Sequence, residues 1–135
     1  MVEDFPFERK NNSQPLSLKQ AIAVIQDEAD RLVEVRENST SNRIFSGCGN
    51  NQEVAQWLRL EGGLEATHII EPKAKTRYGE GQHMIGLLKI NDTNDTDDYL
   101  AFDVSGDKGQ IMFRGPKATV KQWAQQLWGG EWKNI

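Results

Sequence analysis

His83-Met84-Ile85-Gly86-Leu87-Leu88-Lys89-Ile90 is an apolar run, and Tyr99-Leu100-Ala101-Phe102-Asp103-Val104 is a second. Between them lies the polar, acidic segment Asn91-Asp92-Thr93-Asn94-Asp95-Thr96-Asp97-Asp98. Two strand-forming runs around a turn-rich segment read as a β-hairpin with a long loop. Working outward, Gln110-Ile111-Met112-Phe113-Arg114 predicts one more strand, which Gly115-Pro116 breaks. On the other side, Ala66-Thr67-His68-Ile69-Ile70 predicts a short strand. The lysine-, arginine- and glycine-rich stretch Pro72–Gly81 predicts a loop before His83.

Helices lie outside this strand region. Ser17-Leu18-Lys19-Gln20 fits a capping box. Leu18, Ile22, Ile25, Ala29, Leu32 and Val33 then recur at helical spacing, up to the loop Asn38–Asn42. A second helix is expected from Asn50 or Asn51, with an asparagine cap and Glu53 favourable at the positive end of the helix dipole. Val54, Ala55 and Leu58 give its buried side, and Gly62-Gly63 its stop. Ala118–Trp128 predicts a last amphipathic helix, with Val120, Trp123, Ala124 and Leu127 inward and Gly129-Gly130 at its end. The order helix, helix, strands, helix segregates the two kinds of element. It predicts an α+β fold, with N-terminal helices packed on an antiparallel sheet and a C-terminal helix.

The 135 residues suffice for a single domain over residues 17–135, preceded by an arm or linker at 1–16 in which Phe5 and Phe7 are candidates for docking. A net charge of −4 argues against nucleic-acid binding. The local cluster Lys73, Lys75 and Arg77 reads as a solvated loop face. No stretch is apolar enough to span a membrane, and the acidic N-terminus shows no secretory signal. One cysteine excludes an internal disulfide and a multi-cysteine metal site. The acidic segment 92–98 lacks the glycine and terminal glutamate of a calcium loop, so no metal or other cofactor is expected.

The one cysteine, Cys48, lies in Phe45-Ser46-Gly47-Cys48-Gly49-Asn50-Asn51, a small-residue turn entering a helix. A helix N-terminus favours a thiolate, and flanking glycines let a substrate carbonyl approach backbone amides. His83 follows the flexible entry Gly79-Glu80-Gly81-Gln82 and stands at the head of a strand. Asp103 interrupts an apolar run, where a buried carboxylate is costly unless paired. Alternation places it with Ala101 and Tyr99, opposite Leu100, Phe102 and Val104. Thiol, base and orienting carboxylate are the parts of a nucleophilic triad. The second histidine, His68, has no such setting and reads as structural, and the four tryptophans read as packing.

Cysteine-bearing turn into helix, Gly81-Gln82-His83 opening a strand, Phe102-Asp103 closing the next, then Gly106 or Gly109 and a tryptophan-containing terminal helix: this order resembles the papain-fold toxin domains of bacterial polymorphic toxin systems. The resemblance covers about residues 44–128 and rests on short motifs. It implies a papain-like core and a Cys48–His83–Asp103 hydrolase, either a peptidase or a deamidase of protein amides. Asn51 and Gln82 would line the substrate site. It also implies a protein substrate, a cognate immunity protein as partner, and a cytoplasmic location or delivery into a target cell within a larger toxin. The nucleophile of such domains often stands four residues before a small helix residue. Counted back from Ala55, that slot holds Asn51, which is no nucleophile. Two registers follow: Cys48 as nucleophile on a longer turn, or an inactive papain-fold binding module. A third reading is an immunity or regulatory domain without a site.

Overall fold

A computed structural model describes residues 14–38, 47–91 and 96–135. The order is α1 (Leu18–Glu37), α2 (Gly49–Leu60), β1 (Ala66–Thr76), β2 (Gly79–Lys89), β3 (Tyr99–Phe102), β4 (Met112–Gly115) and α3 (Lys117–Trp128). The four strands form one sheet in the order β1-β2-β3-β4. Every neighbouring pair is antiparallel. The class is α+β, as the element order predicts.

Both faces of this sheet are covered. Leu88, Leu100, Phe102 and Val104 join Ala21, Ile25, Leu32, Val54 and Leu58 from α1 and α2 in one buried cluster. Ile69, Ile85, Leu87 and Ala101 join Val120, Trp123 and Trp128 of α3 in another. Adjacent residues of β2 therefore feed opposite cores, which is why its sequence reads as a continuous apolar run rather than an alternation. Gly86 sits opposite Phe102 in the ladder. A Cβ there would lie 2.0 Å from the Phe102 ring, so only glycine leaves room for that ring.

Ser17 caps α1 with the full capping box: Gln20 N–H donates to the serine Oγ, and Ser17 N–H donates to Gln20 Oε1. The buried stripe of α1 is rotated from the expected one. Ala21, Ile25, Glu28, Ala29 and Leu32 face inward, while Val33 is exposed. Glu28 tolerates full burial because Arg31 forks onto it at 2.6 and 2.9 Å and Asn50 donates to it at 2.8 Å.

The stretch after Ile70 is not a loop. β1 continues to Thr76, irregular between Glu71 and Ala74, and Arg77-Tyr78 turns directly into β2. Pro72 falls in that irregularity, where a missing N–H breaks no ladder bond. Ala74 is buried against the α3 side, with Lys73 and Lys75 exposed on either side of it. The basic trio thus decorates a hairpin rather than a loop. Leu16, assigned by sequence to the arm, belongs to the body: its N–H donates to Gly62 O, and its side chain packs on the α1–α2 core. Residues 1–13 of the arm, with Phe5 and Phe7, segment 39–46 and the turn at 92–95 lie outside the described residues. Among the described residues no helix is long and apolar enough to cross a membrane.

Candidate active site

α2 begins earlier than its asparagines suggest. Cys48 occupies the N-cap position with helical angles (φ −64°, ψ −28°), and neither asparagine caps the helix. Both carboxamides turn inward instead. Asn50 Nδ2 reaches Glu28 of α1. Asn51 Nδ2 donates to Met84 O and to Asp103 Oδ1, each at 2.8 Å, while its Oδ1 accepts from Val104 N–H at 2.8 Å. The start of α2 is therefore pinned to α1 on one side and to the sheet on the other. Cys48 is held half-exposed at the rim.

Asp103 lies just past the end of β3, fully buried. Its Oδ1 accepts from Asn51 Nδ2, from Ser105 N–H at 3.1 Å and from Ser105 Oγ at 2.6 Å. Its Oδ2 lies 3.1 Å from His83 Nε2. The carboxylate that sequence marks as costly is thus paired and hydrogen-bonded on both oxygens. Burial works against its charge. The His83 hydrogen bond and charge, with the Ser105 and Asn51 bonds, outweigh burial and hold the carboxyl below its ordinary range.

His83 is 2 % exposed. Burial disfavours its cation, but hydrogen bonds to Asp103 and Cys48, and the charges of both, push the imidazole up to about 9. With Nε2 turned to Asp103, Nδ1 is the nitrogen left for Cys48. The ring packs 4.5 Å from Trp128, centroid to centroid, and 6.4 Å edge-on from Trp132. These tryptophans form the dry wall behind the base.

Cys48, His83 and Asp103 are therefore brought together, although they come from a helix start, a strand and the end of another strand. No protein family, curated protein or solved structure matches the chain. A cleft of about 240 Å³ opens over the thiol and imidazole, lined further by Tyr78, Gln82, Ser105 and Asp107. Gln82 is exposed at its edge. Asn51 is not available to a substrate as the resemblance implies: it is fully buried, and both ends of its carboxamide are engaged within the protein. Nor does it stand in for a nucleophile. His68 is half-buried on β1 opposite Gly86 and does not line this cleft.

Sequence reading passed over three supports. Ser105 follows Asp103 by two residues, a spacing at which a carboxylate bonds the backbone ahead of it, and that signal was readable. Asp107 accepts from Trp128 Nε1 at 3.0 Å and from Arg77 N–H at 3.1 Å, fastening the loop after β3 to α3 and to the β1–β2 turn. Arg36 Nη1 donates to Ser105 O at 2.6 Å and anchors the same loop to α1. Both of these contacts join residues far apart in the chain.

Proposed function

We propose that this protein is a thiol hydrolase acting on an amide, with Cys48 as nucleophile, His83 as general acid and base, and Asp103 as the group that orients His83. One observation carries this reading: a half-buried cysteine at a helix N-terminus faces a buried imidazole whose far nitrogen is held by a buried carboxylate. An imidazolium and a helix N-terminus both favour the thiolate.

In this mechanism Cys48 Sγ attacks the carbonyl carbon of a peptide bond or a side-chain carboxamide. The carbonyl electron pair moves to oxygen, then returns as the C–N bond breaks. His83 gives its Nδ1 proton to the departing amine or ammonia, leaving a thioester on Cys48. Water then attacks the thioester and passes a proton to His83. The carboxylic acid departs, and the Cys48 thiolate beside the His83 imidazolium is restored. In this mechanism backbone amides near the helix start hold the oxyanion. Gln82, at the rim, contacts the substrate. The role of a toxin effector with a cognate immunity partner rests on the resemblance to papain-fold toxin domains.

Iodoacetamide labelling at pH 6, followed by mass, tests the reading. Wild type should label far faster than His83→Ala, because an ordinary thiol, with pKa about 8.5, is almost wholly protonated there. Asp103→Ala should fall between the two. Equal slow labelling of wild type and His83→Ala would leave Cys48 a structural thiol and favour an inactive binding module.

A further inference from the structure

Three residues beyond Cys48, Asn51 makes contacts that a helix residue chosen for packing alone does not require. Its side chain is fully buried on the first turn of α2. One carboxamide group joins three separate carriers of the site. It touches the carbonyl of Met84, which follows His83 on β2. It touches the Oδ1 of Asp103, whose other oxygen meets His83. It also receives the N–H of Val104, fixing the backbone that carries Asp103. Leucine or alanine at this position would serve the apolar side of the helix equally well. Either would leave a buried carboxylate oxygen and a buried carbonyl short of a donor.

We infer that Asn51 is a positioning residue of the thiol centre: its carboxamide sets the angle of the Asp103 carboxylate against His83 and locks both to the helix start that presents Cys48. This rests on the thiol-hydrolase reading above. Ser105 also donates to the same Asp103 oxygen, so the carboxylate keeps a partner without Asn51. What is lost is the tie between the carboxylate, the strand of His83 and the helix of Cys48. Such groups hold a ring in its productive orientation without touching the reacting atoms.

The test is the labelling rate of Cys48 at pH 6 in Asn51→Ala, Asp103→Ala and the double variant, alongside wild type and His83→Ala. Asn51→Ala should label about tenfold more slowly than wild type, the scale of one hydrogen bond to a charged group. The double variant should label faster than the product of the two single effects predicts, because Asn51 acts in part through Asp103. The His83 titration midpoint, read from its ring protons by NMR, should fall in Asn51→Ala, a change that lost packing alone would not cause. Wild-type labelling in Asn51→Ala, or effects that simply add in the double variant, would overturn the inference while His83-dependent labelling of wild type leaves the hydrolase reading standing. Loss of that His83 dependence in wild type would instead sink the reading itself. If Asn51→Ala does not fold, wild type still decides. The Asn51 carboxamide resonances should shift with the midpoint of His83, and resonances indifferent to that titration would refute the coupling.

Discussion

The backbone N–H of Trp132 donates to Glu71 Oε1 at 2.8 Å, joining the C-terminal tail to the irregular middle of β1. Glu131 N–H reaches the same oxygen at 3.0 Å, and Lys73 N–H reaches Oε2 at 2.9 Å. Gly130 is required for this approach, since a Cβ there would lie 2.6 Å from the glutamate side chain. The latch holds the fully buried Trp132 against Trp128 and beside His83. A buried carboxylate thereby braces the wall behind the base.

Glu71 carries a pH dependence whose sign follows from these bonds. The N–H groups of Trp132 and Lys73 hold its carboxyl below the ordinary value of 4.5, against an opposing effect of burial. Its stabilisation is therefore complete above the unfolded value and is lost as pH falls through the lower folded value. The protection of the Trp132 amide, its hydrogen-exchange rate relative to the intrinsic rate at each pH, should fall on acidification before that of the sheet amides. Glu71→Gln should remove the acid limb and cost roughly 1–2 kcal/mol, measured by urea denaturation. Unchanged tail protection in that variant would show that the latch does not hold the tail.

The buried His83–Asp103 pair sets the opposite limb. His83 is raised to about 9, so its contribution is whole below its unfolded value of 6.5 and fades as pH rises through 9. Asp103 is lowered, so its share fades only in acid. The thermal midpoint should drop between about pH 7 and 10 by an amount worth a few kcal/mol. His83→Ala should flatten that limb. A midpoint indifferent to pH over this range in wild type would contradict the pairing.

Gly86→Ala tests how the sheet positions the site. The added methyl must displace the Phe102 ring, and Phe102 precedes Asp103. Overpacking of this kind costs about 1–3 kcal/mol. Chemical denaturation should show that loss, and Cys48 labelling at pH 6 should slow in the folded variant. A stable variant with an undisturbed labelling rate would separate Phe102 from the placement of Asp103.

The toxin reading makes a cellular prediction. Expressed inside bacteria, the wild-type chain should reduce growth, and Cys48→Ala should relieve the effect at equal protein level. Equal growth of the two strains would remove the effector proposal without touching the chemistry of Cys48.

The parts of this site were legible where a residue broke its local pattern. Asp103 stood out because it interrupts an apolar strand, and Cys48 because glycines surround it at a helix start. The asparagines misled, because a cap and an inward-facing anchor look identical in a local window: both are polar residues at a helix start. The hairpin extension past Ile70 was hidden for a related reason. Lysines and glycines on a strand that projects beyond the sheet carry the composition of a loop.

Sequence alone determined the α+β class, the capping box at Ser17 and the core residues of α2, and it singled out Cys48, His83 and Asp103 as candidates, since these readings depend on periodicity and on residues close in the chain. Tertiary structure decided which groups meet. His83 and Asp103 come within 3.1 Å, Asn51 joins Met84 to Asp103, and Glu71 clasps Trp132 across 61 residues. The physical reason is that each such contact depends on how two elements pack and on ladder register. A buried polar group announces in the sequence that it needs a partner, but only the packed fold determines which one it finds.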